Sequence, residues 1–140
     1  MAITQSDVVY TAVATAENGR DGRVATDDGK LDVVVNPPKE QGGSGAGTNP
    51  EQLFAAGYSA CFQGALAVVA RQEGIDITGS TVTAKVGIGK NDDGFGLIVS
   101  ISAVIPNADT VTAQSLIEKA HQVCPYSKAT RGNITVTLSV

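Results

Sequence analysis

The stretch Asn49-Pro50-Glu51-Gln52-Leu53-Phe54-Ala55-Ala56-Gly57-Tyr58-Ser59-Ala60-Cys61-Phe62-Gln63-Gly64-Ala65-Leu66-Ala67-Val68-Val69-Ala70-Arg71-Gln72-Glu73-Gly74 decides the architecture. It begins with a helix start. Asn49 suits the N-cap, Pro50 the first helical position, and Glu51 and Gln52 the first turn. Pro50 also keeps Asn49 out of helical geometry, as a cap requires. Gly74 supplies the stop. The span 50–73 therefore predicts a helix roughly 35 Å long. It is apolar on nearly every side, so protein must surround it. Gly57, Ser59, Gln63 and Gly64 interrupt it too often for a membrane span. One sheet and one short helix leave such a helix short of cover, which makes a second subunit its natural partner.

Strand signals lie on both sides of this helix. Asp7 to Ala16 is rich in Val, Thr and Tyr. Arg23 to Thr26 and Leu31 to Val35 flank Asp27-Asp28-Gly29-Lys30, a hairpin turn signal. Thr81 to Gly89 and Phe95 to Ile105 flank a second one, Asn91-Asp92-Asp93-Gly94. A second helix is expected from about Thr112 to Val123, with Asp109 or Thr110 near its start and Pro125 as its stop. Asn133 to Val140 alternates as a closing strand. The order β-β-β-α-β-β-α-β predicts one α+β domain over residues 1–140, with antiparallel sheets around a long buried central helix. The run from Pro37 to Asn49 is glycine-rich but fits neither GxxxxGK[ST] nor GxGxxG. It reads as a flexible crossing loop, or else as a lid.

Composition removes several function classes. Of 140 residues, 42% are hydrophobic and 17% charged, which excludes wholesale disorder. The net charge is −4 and no Lys or Arg cluster exists, which argues against nucleic acid or an anionic membrane surface as a partner. Two cysteines and one histidine suit neither a disulfide scaffold nor a structural zinc site. The N-terminus has no secretory pattern, and a cytoplasmic location is expected.

What the two cysteines do is then the question. Cys61 lies mid-helix, about 16 Å from the helix N-terminus, where the dipole cannot lower its pKa and apolar surroundings raise it. A reactive Cys61 needs a cation from another element. Arg20 and Arg23 lie in a turn-rich entry to the first hairpin, Lys128 and Arg131 follow Cys124, and Arg71 is too far along the helix. Either cysteine can equally be a small packing residue. His121, one turn before Cys124, permits a Cys-His hydrolase, although no Asn or Asp is evident to orient it.

The helix segment Asn49–Phe62 resembles the signature helix of the organic hydroperoxide resistance (Ohr) proteins, a branch of the OsmC superfamily. Gly19-Arg20-Asp21-Gly22 resembles their N-terminal arginine motif, and Gly87-Ile88-Gly89 with Gly94-Phe95-Gly96-Leu97 their central hairpin. Lys119 to Ser127 and Ala129 to Asn133 resemble their second cysteine segment. The resemblance implies an OsmC-like fold, an intertwined homodimer, and a thiol peroxidase acting on organic hydroperoxides, with fatty-acid hydroperoxides a favoured class. It implies that Cys61 is the peroxidatic cysteine and Cys124 the resolving cysteine, with Arg20 the activating cation and Glu51 its carboxylate partner. It further implies no bound cofactor or metal, and reduction by a dihydrolipoyl dithiol on a lipoylated protein. An OsmC-type peroxidase with other preferences and a non-enzymatic lipid-binding module are the alternatives.

Overall fold

The computed structural model describes residues 1–140, which fall into two compact units, Met1–Pro50 and Glu51–Val140. The first holds an antiparallel meander of β1 (Ala14–Glu17), β2 (Gly22–Thr26) and β3 (Asp32–Val35). The expected Asp-Gly turn joins β2 to β3, with Gly29 at φ 71°. Asp28 accepts from the Thr26 hydroxyl and the Lys30 amide, which pins the turn. Arg23 and Asp32 form a two-pronged ion pair across the hairpin, both contacts at 2.7 Å.

Two expectations for this unit are corrected. The first strand does not begin near Asp7. Gln5–Asp7 is a 3₁₀ turn, and pairing starts only at Ala14, opposite Thr26. Beyond that pair the hairpin offers one more contact, the Asp27 amide donating to the Val13 carbonyl at 3.1 Å, and the chain then turns away through Asp28 and Gly29. Nor is the glycine-rich run a loose crossing. The Gly43 and Gly45 amides donate to the Pro38 and Pro37 carbonyls at 3.0 Å. Asn36 and Thr48 close the loop, the Asn36 amide donating to Thr48 and the Thr48 amide to Val34, each at 2.9 Å. A Cβ at Gly43 would collide with the Pro37 carbonyl, so glycine here permits close backbone approach.

The second unit is built on α1 (Pro50–Glu73), which starts at the expected proline. Its end is a Schellman motif. Gly74 is left-handed at φ 68°, its amide donates to Arg71, and the Ile75 amide donates to Ala70. Then follow β4 (Thr81–Asn91), β5 (Gly94–Val104), α2 (Thr110–Val123), α3 (Pro125–Thr130) and β6 (Val136–Ser139). The order matches expectation apart from α3. β4 and β5 form a long antiparallel hairpin, paired from Thr81 opposite Val104 to Asn91 opposite Gly94. β6 joins β5 in parallel, Val99 opposite Val136, so the expectation of antiparallel sheets fails here. The chain leaves β5, passes through two helices and re-enters in the same direction, and such a crossover produces a parallel pair.

The core cluster joins Tyr58, Phe62, Leu66 and Val69 of α1 with Val99 and Ile101 of β5 and Leu116, Ile117 and Ala120 of α2. By length and composition α1 could pass for a membrane span, yet these side chains make it the core helix of this unit. Its burial is one-sided. Ala56, Ala60, Gly64 and Val68 form an exposed row along it, so α1 is partly rather than wholly enclosed in the single chain.

Candidate active site

The local chemistry around α3 starts with Pro125. A proline cannot continue α2 but is well suited to open a new helix. Cys124 is therefore at once the last cap of α2 and the first of α3, with an extended backbone at ψ 123°. Its amide donates back to Ala120 at 2.8 Å and its carbonyl accepts from Lys128 at 3.0 Å. The buried apolar face of α2 (Ala113, Leu116, Ile117, Ala120) fixes this corner against the core. The N-cap Asp109 anchors the other end of α2, accepting from the Thr112 amide at 2.7 Å.

This arrangement brings the two cysteines together across 63 residues of sequence. Cys124 is fully buried, Cys61 is partly exposed, and both are free thiols. Their sulfurs lie 3.7 Å apart, so an approach of about 1.7 Å would give the bond length of about 2.05 Å of a disulfide. Burial pushes the Cys61 thiol up. The Tyr126 backbone N–H, donating to the Cys61 sulfur, pulls it back, and the neighbouring Cys124 thiol pushes it up again. Two sulfurs at this distance, one reachable from solvent and one sealed behind it, suit reversible cysteine redox chemistry.

Aromatic rings flank Cys61. Phe54, Tyr58 and Tyr126 form a triangle with ring centroids 5.5 to 6.0 Å apart. Phe62, the remaining aromatic of α1, has no place in this triangle. Phe62 points into the core with no exposure, and Tyr126 takes the third place. Gly57 lets Tyr126 lie close to α1, since a Cβ there would be 2.7 Å from the Tyr126 hydroxyl.

His121 is not held for Cys124. Its Nδ1 lies 2.8 Å from the Ser127 hydroxyl, and burial together with the nearby Arg131 cation keeps its pKa below the ordinary histidine value. Arg131 itself donates to the His121 carbonyl at 2.9 Å. The Ser127 hydroxyl is 2.9 Å from the Tyr58 hydroxyl, which lies 3.0 Å from the Thr130 hydroxyl. Sequence reasoning missed Ser127 and Thr130. The signal available was a serine and a threonine in one short helical segment behind Pro125, able to face a tyrosine on α1. Arg20 sits in the exposed turn between β1 and β2 of the first unit, and Glu51 in the first turn of α1.

The sequence pattern of the OsmC-like protein family matches residues 42–139. An organic hydroperoxide resistance protein of Xanthomonas axonopodis pv. citri is 52% identical over 135 residues, covering 95% of each chain. The crystal structure of an organic hydroperoxide resistance protein from Elizabethkingia anophelis, with thiocyanate bound, superposes with a TM-score of 0.89 at 55% identity, covering 95% of this chain and 96% of that one. That of OhrB from Bacillus subtilis superposes with a TM-score of 0.87 at 44% identity, covering 94% and 98%. Identity at this level over nearly full length, with the same fold, shows that the chain belongs to the OsmC/Ohr superfamily and stands close to its organic hydroperoxide resistance proteins.

Proposed function

We propose that this chain is a thiol peroxidase that reduces organic hydroperoxides to alcohols. The observation that carries the reading is the pair of free thiols at 3.7 Å, the more exposed one on α1 and the buried one behind it. The similarity to organic hydroperoxide resistance proteins supplies the substrate class.

Cys61 attacks as the thiolate. Its sulfur takes the distal peroxide oxygen, the O–O bond breaks, and the alkoxide leaves and is protonated to the alcohol. Cys61 is then a sulfenic acid. The Cys124 thiol attacks that sulfur, the hydroxyl leaves as water, and the Cys61–Cys124 disulfide forms. A dihydrolipoyl dithiol on a lipoylated protein reduces it by exchange and becomes the cyclic disulfide. Because burial holds the Cys61 thiol up, a cation is needed for attack at neutral pH. Arg20 is proposed for this task, stabilising the thiolate and the charge that develops on the peroxide oxygens, with Glu51 as the carboxylate that orients it. The exposed row of small residues on α1 supports a homodimer in which a second subunit covers that face. Phe54 and Tyr126 would favour an alkyl chain over hydrogen peroxide. Residues 1–140 are proposed to work as one domain, in the cytoplasm and without a bound cofactor.

The test is steady-state consumption of cumene hydroperoxide with dihydrolipoamide as reductant. The native chain should turn over and Cys61→Ser should not. Full activity in Cys61→Ser would overturn the mechanism.

A further inference from the structure

Counting protons around the buried Tyr58 hydroxyl gives a direction to the polar cluster behind the cysteines. A hydroxyl has one proton to donate and two lone pairs to accept with. The Thr130 hydroxyl donates to the Ser127 carbonyl at 3.2 Å, and that uses its only proton. Toward Tyr58 it must then accept, so the Tyr58 proton points at Thr130 across 3.0 Å. Tyr58 has none left for Ser127, so Ser127 donates to Tyr58 across 2.9 Å. Ser127 in turn has none left for His121, so Nδ1 of His121 must carry the proton that spans 2.8 Å. The chain runs one way, from His121 through Ser127, Tyr58 and Thr130 to a carbonyl. The opposite direction would give up the Thr130 bond to that carbonyl, at a place where Tyr58 and Ser127 have no exposure.

The location of this chain matters more than its stability. Tyr58 is three residues before Cys61, on the same side of α1. Ser127 and Thr130 are the two buried residues of α3, the helix that begins immediately after Cys124. The same helix presents the Tyr126 amide to the Cys61 sulfur. The Tyr58 hydroxyl is therefore the polar tie from the helix of one cysteine to the helix that the other cysteine opens.

We propose that His121, Ser127, Tyr58 and Thr130 form a one-directional hydrogen-bond chain that positions α3, and with it Cys124, for closure onto Cys61. These are positioning residues, and the assignment rests on the peroxidase reading for its biological use. The chain should leave a signature at its far end. If Thr130 cannot accept, the Tyr58 proton turns to Ser127 and the Ser127 proton turns to Nδ1 of His121, which moves the histidine proton to Nε2.

His121 is the only histidine, so its ring ¹⁵N resonances need no assignment. At pH 8 the native chain should show the Nδ1–H tautomer. Thr130→Val should convert it to Nε2–H, and Thr130→Ser should restore Nδ1–H. A native Nε2–H tautomer, or no change in Thr130→Val, would overturn the direction. For positioning, the rate of Cys61–Cys124 disulfide formation is read by mass spectrometry after one equivalent of cumene hydroperoxide and, separately, after diamide. Tyr58→Phe keeps the ring and should slow closure by about ten- to a hundredfold, the order expected for a misplacement near 1 Å. Closure at the native rate in Tyr58→Phe would overturn the positioning role. Should Tyr58→Phe fail to fold, the Thr130→Val and Thr130→Ser pair is measured in the same assay, and closure at the native rate in both would overturn that role. If the native chain closes with diamide but ignores the hydroperoxide, the peroxidase reading fails while the positioning role is still decided by the diamide arm.

Discussion

Gly57→Ala sets two effects of opposite sign against each other, and the geometry decides between them. The new Cβ would stand 2.7 Å from the Tyr126 hydroxyl oxygen and 3.2 and 3.3 Å from two ring carbons. Relief to an ordinary contact of 3.4 Å requires the phenol tip to retreat by about 0.7 Å. On a lever of about 6.5 Å from Cα to the phenol oxygen, that is a swing of about 6°. A departure of about 30° from a rotamer costs about 0.5–1.5 kcal/mol, so a swing this small costs far less. Tyr126 is 39% exposed and has room on its solvent side. Against this, Ala at an interior helix position gains about 0.5–1 kcal/mol over Gly, and Gly57 has no positive φ to lose. The net effect should be stabilising. The melting temperature, followed by circular dichroism, should rise by about 2–4 °C for a chain of this size. A fall of several degrees would refute the reasoning. It would mean that the Phe54–Tyr58–Tyr126 triangle is packed too rigidly to yield, in the range of about 1–3 kcal/mol for overpacking.

Three further outcomes are expected. Cys124→Ser should still consume one equivalent of hydroperoxide, but the Cys61 sulfenic acid should persist and be trapped by dimedone, whereas the native chain gives the disulfide. Arg20→Ala should move the pH profile of Cys61 alkylation upward by about one to three pH units, the range for losing an adjacent opposite charge. An unchanged profile would remove Arg20 from its role. Asp109→Ala should lower the melting temperature at neutral pH by removing the cap of α2. Bonds from the Thr112 amide and hydroxyl hold the Asp109 carboxyl below the ordinary carboxylate range. A lowered folded value stabilises fully above the unfolded value near 3.9 and is lost as pH falls through the folded one. The gap between native and Asp109→Ala melting temperatures should therefore close as pH falls from 5 toward 2.

Much of this fold is legible because its local signals are strong. Pro50 and Gly74 mark both ends of α1 without help from the rest of the chain, and the Asp-Gly pairs mark both hairpins. The parallel β5–β6 pair was not legible. Alternation in residues 133–140 identifies a strand and its faces but carries nothing about the direction of its neighbour. α3 was hidden for a similar reason, because Pro125 ends one helix and opens another, and only the first role was read. The need of Cys61 for outside help follows from helix arithmetic, and the raised thiol agrees with it. The Tyr58 cluster was readable only in part: the two hydroxyl residues behind Pro125 signal a polar partner, but nothing in a lone tyrosine about 70 residues away says that it will meet them.

The parallel docking of β6 also orders events during synthesis. The β4–β5 hairpin needs only a two-residue reversal, at Asp92 and Asp93, and can form as soon as it is made. β6 must close a far longer loop through α2 and α3, and non-local closures of this kind come late. Cys124 lies inside that loop. A chain emerging from the ribosome therefore carries Cys61 for some time before its partner thiol is in place. On the proposed peroxidase mechanism, an oxidant that reaches Cys61 during that interval meets a cysteine without the thiol that stands 3.7 Å away in the folded chain. On the same mechanism, irreversible oxidation is expected to threaten the nascent chain more before its last strand docks than after.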